Sequence, residues 1–269
     1  MKTIKLILLL AVGLGIGVLA LQSATAQRRA SKSRLAAFRE NNCVACHAGI
    51  TEPLRMSAHF YEWFGSTHEK SNIGCEQCHG GDPSATTAKA GHQGVYRAVF
   101  PQSTLHPKNL PETCSKCHIE LVSAFTKSEH FQKLWNDSSA PSCTTCHQHM
   151  ATTVIYWPPQ TAELCAVCHK EPTNRASQFP DVPAQASDSV AALSRADEVI
   201  DWSYFLIEEG RRKRMTFVAE TAELQRLQTA LKRVKTEWHG FNLADSRRKA
   251  DQIFQDASKI KNALVKRVP

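Results

Sequence analysis

The chain has 269 residues, 42% of them hydrophobic and 22% charged, with 33 Lys and Arg against 25 Asp and Glu. Ordinary apolar content excludes a wholly disordered protein, and a single long apolar run excludes a polytopic membrane protein. Ten cysteines are too many for an ordinary enzyme, and the chain is too long for a small disulfide-stapled domain.

Residues 1–26 read as an address. Two lysines precede an unbroken apolar run over 6–21, and Ala24, Thr25 and Ala26 follow as an A-x-A cleavage site. This predicts a secretory signal peptide cut after Ala26. The rival is a retained anchor helix, but the run falls short of the ~20 residues that span a bilayer. Export follows either way, and membrane association follows only from the rival.

Residues 27–170 hold every cysteine, in five copies of C-x-x-C-H. The sets are Cys43, Cys46 and His47; Cys75, Cys78 and His79; Cys114, Cys117 and His118; Cys143, Cys146 and His147; and Cys165, Cys168 and His169. Chance would supply roughly 0.02 copies at this composition. Two thiols at this spacing reach the two vinyl positions of one porphyrin, and the adjacent histidine then lies beneath the iron as proximal ligand. Zinc sites or redox dithiols would leave that histidine unexplained. The expectation is five covalent haem c groups, and a region with so many macrocycles uses them as its core. Short helices should lead into the motifs, as at 31–41 and 130–136. Attachment cysteines begin at 43, 75, 114, 143 and 165, too unevenly for a solenoid.

Seven histidines lie outside the motifs, and methionine is scarce after residue 26, so both faces of each iron should carry histidine. Iron closed on both faces carries electrons rather than binding a small molecule. His68 and His130 share a Ser-x-His pattern upstream of a motif, and His149 lies two residues beyond His147. His92 follows Gly80, Gly81, Asp82 and Pro83. His59 and His106 rank last, as structural or surface residues.

Residues 171–189 are rich in Pro, Ala, Ser and Gln without periodicity and read as a linker. Over 190–269 the pattern turns helical. Leu224, Leu227, Leu231, Val234 and Trp238 form an amphipathic stripe, Gly240 ends that helix, and Asp245 or Ser246 should cap the next. The basic run at 211–214 reads as a solvated turn, since an exported haem protein meets no nucleic acid. The formal charge of +8 is offset by roughly ten haem propionates.

The segment from Gly74 to Pro83, the Ser-x-His histidines and the C-terminal helices resemble the multihaem cytochrome c superfamily. That group includes pentahaem nitrite reductases, octahaem hydroxylamine oxidoreductases and the tetrahaem cytochromes of ammonia oxidation. The resemblance implies a mainly α fold with extensive loops: a haem-packed domain followed by a C-terminal helical hairpin or three-helix unit. It also implies a histidine reaching back from those helices, which makes His239, in the run Trp238 to Asn242, a distal ligand. The C-x-x-C-K motif of the nitrite reductases is absent, and the chain is too short for the hydroxylamine oxidoreductase set. The resemblance therefore implies electron transfer between redox protein partners in the periplasm. Two alternatives stand beside it: a reductase or oxidase of a small nitrogen or sulfur compound at one open haem, and a membrane-anchored quinol-oxidising subunit.

Overall fold

The structure, a computed structural model, describes residues 35–148, 150–151 and 153–268, without the side chains of 35 and 54–58. The signal segment and His149 lie outside these residues. Helices joined by loops make up the fold, with no strand among the described residues. The chain divides into two compact units on either side of the bond between Val95 and Tyr96.

The first unit carries α1 (Asn42–His47), α2 (Leu54–Trp63), α3 (Thr67–Lys70), α4 (Glu76–His79) and α5 (Ala88–Gly91). Its buried apolar side chains among the described residues are Phe38, Val44 and Trp63. Phe38 meets Trp63 edge-on at 4.9 Å, and the Trp63 indole N–H donates to the Ile73 carbonyl at 2.9 Å. So small a side-chain core agrees with a region organised around large covalent groups.

The second unit begins with α6 (Leu110–Ser115), α7 (Ile119–Phe125), α8 (Glu129–Asp137), α9 (Cys143–His147) and α10 (Pro158–His169). Three long helices follow, α11 (Val182–Arg212), α12 (Val218–Glu237) and α13 (Leu243–Arg267). They form a bundle in which Ile200, Leu227, Leu231, Val234 and Ile253 share one buried cluster, and Ile207, Phe217, Leu224 and Leu264 a second. Each fully buried leucine contributes about 1.5–3 kcal/mol of hydrophobic stabilisation. The three-helix unit expected at the C-terminus is present.

The structure departs from the sequence reading in three places. The segment 171–189 is not a plain linker, because α11 starts at Val182 and buries Pro183, Ala186 and Ser189. Pro183 sits in the first turn, where a missing N–H costs nothing, so it starts the helix rather than breaking it. The third bundle helix is capped by Asn242, whose side chain accepts from the Asp245 N–H, and not by Asp245 or Ser246. The division between units falls among the haem motifs, between the second and third, rather than after the fifth. The basic run behaves as expected: Arg211 and Arg212 pair with Glu208 and Glu209 at the exposed end of α11, where positive charge suits the helix dipole.

Gly210 shows how tightly the bundle is packed. A Cβ at this helical position would run into the ring of Phe217, which is buried in the second cluster. Gly210→Ala is expected to destabilise the protein by about 1–3 kcal/mol through overpacking, against the propensity gain an exposed helix would show. Thermal unfolding of the variant checks this.

Candidate functional site

Each attachment motif sits on or at the edge of a helix, and His92, His130 and His239 have been brought to motif histidines. The Asn41 side chain accepts from the Val44 N–H to cap α1, and its amide donates to Glu76 at 2.8 Å, joining the first motif to the second. Burial, then the neighbouring Cys43, pushes the Cys75 thiol up to about 11. In the second unit the Cys143 thiol is lowered to about 7, first by a hydrogen bond with Cys114, so the third and fourth motifs adjoin. Burial and then Cys146 push Cys165 up to about 11, so the fourth and fifth adjoin as well. The motifs therefore form a pair in one unit and a row of three in the other. None of the ten cysteines is in a disulfide.

Three motif histidines face a histidine from elsewhere in the chain. The ring centres of His47 and His92 are 6.0 Å apart, those of His147 and His239 6.1 Å, and those of His130 and His169 6.2 Å. Two imidazoles on opposite faces of one metal ion have ring centres about 6.2 Å apart, given a metal–nitrogen bond of about 2.0 Å. The spacing fits an iron between each pair. The tautomers fit too. His92 Nδ1–H donates to the Ala88 carbonyl at 2.9 Å, His147 Nδ1–H to Thr153 at 3.0 Å, and His239 Nδ1–H to Lys235 at 3.1 Å. Each bond leaves the Nε2 lone pair for a metal. Burial, followed by the facing histidine, lowers the His47, His130 and His239 values, which favours the neutral ring that ligation needs.

Local sequence explains how the distal rings are placed. The Ser-x-His pattern is a helix start: Ser66 Oγ accepts from the Glu69 N–H to cap α3, and Ser128 Oγ accepts from the Phe131 N–H to cap α8. His68 and His130 are thereby fixed in the first turn. Gly80 and Gly81 both have positive φ, at 73° and 84°, and a side chain on Gly81 would strike the Gly91 carbonyl. That close approach brings the α5 segment ending at His92 against the double glycine that follows the second motif. His239 lies in the 3-10 turn Trp238–Gly240, held to the bundle by the Trp238 indole N–H donating to Ser189 Oγ at 2.7 Å.

His59, ranked with His106 as structural or surface, lies close enough to His47 and His79 to disfavour a charge on either ring. Its Ser-x-His pattern does not mark a helix start, because residues 57–59 lie inside α2, which begins at Leu54. His106 keeps a local role, its Nδ1 accepting from the Lys108 N–H at 3.4 Å.

The family described as cytochrome c554 and c-prime matches residues 18–80, which span the first two motifs. The chain is similar to the C-type polyheme cytochrome OmcC of Geobacter sulfurreducens, 26% identical over 114 residues, covering 40% of this chain and 14% of that protein. It is similar also to the C-type polyheme cytochrome OmcB of the same organism, 26% identical over 160 residues, covering 56% of this chain and 19% of that protein. Both relatives are multihaem cytochromes c, and the matched family is one of cytochromes c. The chain spans less than a fifth of the length of these relatives. No solved structure matches it. Among the described residues, no helix is long and apolar enough to cross a membrane.

Proposed function

We propose that the chain is an exported, periplasmic cytochrome that holds five haems and passes electrons through closely spaced, bis-histidine iron. The observation that carries this reading is the recurrence of one spacing, 6.0–6.2 Å, in three independent histidine pairs. His92, His239 and His130 would serve the first, fourth and fifth haems, opposite His47, His147 and His169. His59 is the candidate opposite His79, and His68 and His149 complete the candidate set. The adjoining cysteines give the groups a row along which electrons can step, and a low dielectric around buried rings favours rapid exchange without proton uptake.

Intact mass under denaturing conditions tests the load. A chain beginning at Gln27 with five haem increments is expected. Fewer increments on fully matured protein overturns the number five, and a chain that retains the residues before Gln27 overturns the cleaved signal.

A further inference from the structure

Three of the paired histidines, His92, His147 and His239, donate Nδ1–H to a backbone carbonyl, and one pair differs. His130 Nδ1 and His169 Nδ1 are both buried and have no hydrogen-bond partner among the described residues. A buried, unsatisfied N–H is costly enough to require a reason. What surrounds these rings instead is aromatic. The Phe241 ring meets His130 edge to face at 4.4 Å and 82°, and Phe179 lies 6.5 Å from His169.

Phe241 is held there against its own preference. Its φ of 58° and ψ of 25° are left-handed, a conformation that a bulky side chain adopts only when its surroundings impose it. The Phe241 N–H donates to the Trp238 carbonyl at 2.8 Å, and its ring packs on Trp238 at 5.4 Å and Phe125 at 6.4 Å. Asparagine or glycine would suit this backbone better but would put no ring against His130. The two ring pairs of this unit also differ in angle. His147 and His239 are nearly parallel, at 16°, whereas His130 and His169 cross at 67°.

Resting on the bis-histidine reading above, we propose that the fifth site accepts electrons from the fourth and that Phe241 is the positioning residue which makes it so. An imidazole that donates Nδ1–H to a carbonyl is a more basic ligand and stabilises ferric iron. His147 and His239 both do this, so the fourth site is the stronger reductant. His130 and His169 do not, and crossed ligand planes weaken donation into the iron further, so the fifth site holds an electron more firmly. Phe241 sets the crossing because its ring edge blocks rotation of His130. The same turn thus supplies a ligand to the fourth site through His239 and orients a ligand of the fifth through Phe241.

Potentiometric titration of the holoprotein followed by EPR tests this. Crossed imidazole planes give a strongly anisotropic ferric signal with one resolved low-field feature, and near-parallel planes give three resolved features. A crossed-plane signal should vanish at a more positive potential than the near-parallel one. In Phe241→Asn, which relieves the left-handed strain but removes the ring, one crossed-plane signal should be replaced while the near-parallel signal stays. Phe241→Tyr should retain the parent spectrum. The proposal is overturned if every crossed-plane signal of the parent is reduced at or below the potential of the near-parallel one. It is overturned equally if Phe241→Asn, folded and fully loaded, keeps all parent signals. A deficit in haem number in the parent would count against the five-haem reading instead.

Discussion

Replacing His239 with alanine is expected to convert one haem from low spin to high spin and leave the other signals in place. The argument is local. His239 faces His147 at 6.1 Å with its Nδ1–H already committed to the Lys235 carbonyl, so its Nε2 lone pair is left for the iron of a haem attached at Cys143 and Cys146. Alanine leaves that iron with His147 alone, and a five-coordinate haem is high spin. The bundle should loosen as well, because Trp238 and His239 together fasten the turn between α12 and α13 to the rest of the unit. The alternative is that His239 only answers the helix dipole at the end of α12. An EPR spectrum of the variant with the parent's full set of low-spin signals would establish that alternative.

Leu231→Ala should cost about 2–5 kcal/mol, the range for emptying a well-packed leucine site. Leu231 is 1% exposed and lies in the larger cluster with Ile200, Leu227 and Ile253. For a domain of this size the loss corresponds to a fall in Tm of about 5–15 °C. Val218, 82% exposed at the start of α12, is the matched control, and Val218→Ala should stay within about 0.5 kcal/mol of the parent. Thermal melts of the two variants separate burial from helix propensity, since both replace a residue on the same helix with the best helix former.

What could be read from the residues follows how far each interaction reaches along the chain. Attachment is short-range chemistry, two thiols and a histidine within five positions, so every motif was legible. The amphipathic stripe from Leu224 to Val234 was legible for the same reason. Distal ligands are long-range. His92 could be noticed beside its double glycine, but nothing near His59 marks its approach to His79, and its Ser-x-His pattern carried the wrong meaning inside α2. His239 was reached through resemblance rather than spacing. Pro183 misled because proline signals both helix breaks and helix starts, and only the fold decides which. The division after Val95 has no compositional marker, because loops of similar character lie on both sides of it.

His147 and His239, the pair proposed for the fourth site, are separated along the chain by α10, α11 and α12. A ribosome therefore finishes Cys143, Cys146 and His147 well before His239 exists. A haem attached at that site early in biosynthesis would wait with one face uncovered until the bundle closed, whereas His47 and His92 arrive together within the first unit. On that reading topology would stage maturation, and premature release of the C-terminal helices would leave a peroxide- or carbon-monoxide-reactive iron in the middle of the row. The same iron sealed by His239 would be inert to both. Reactivity toward carbon monoxide would then report the fraction of molecules in which the last turn had not closed.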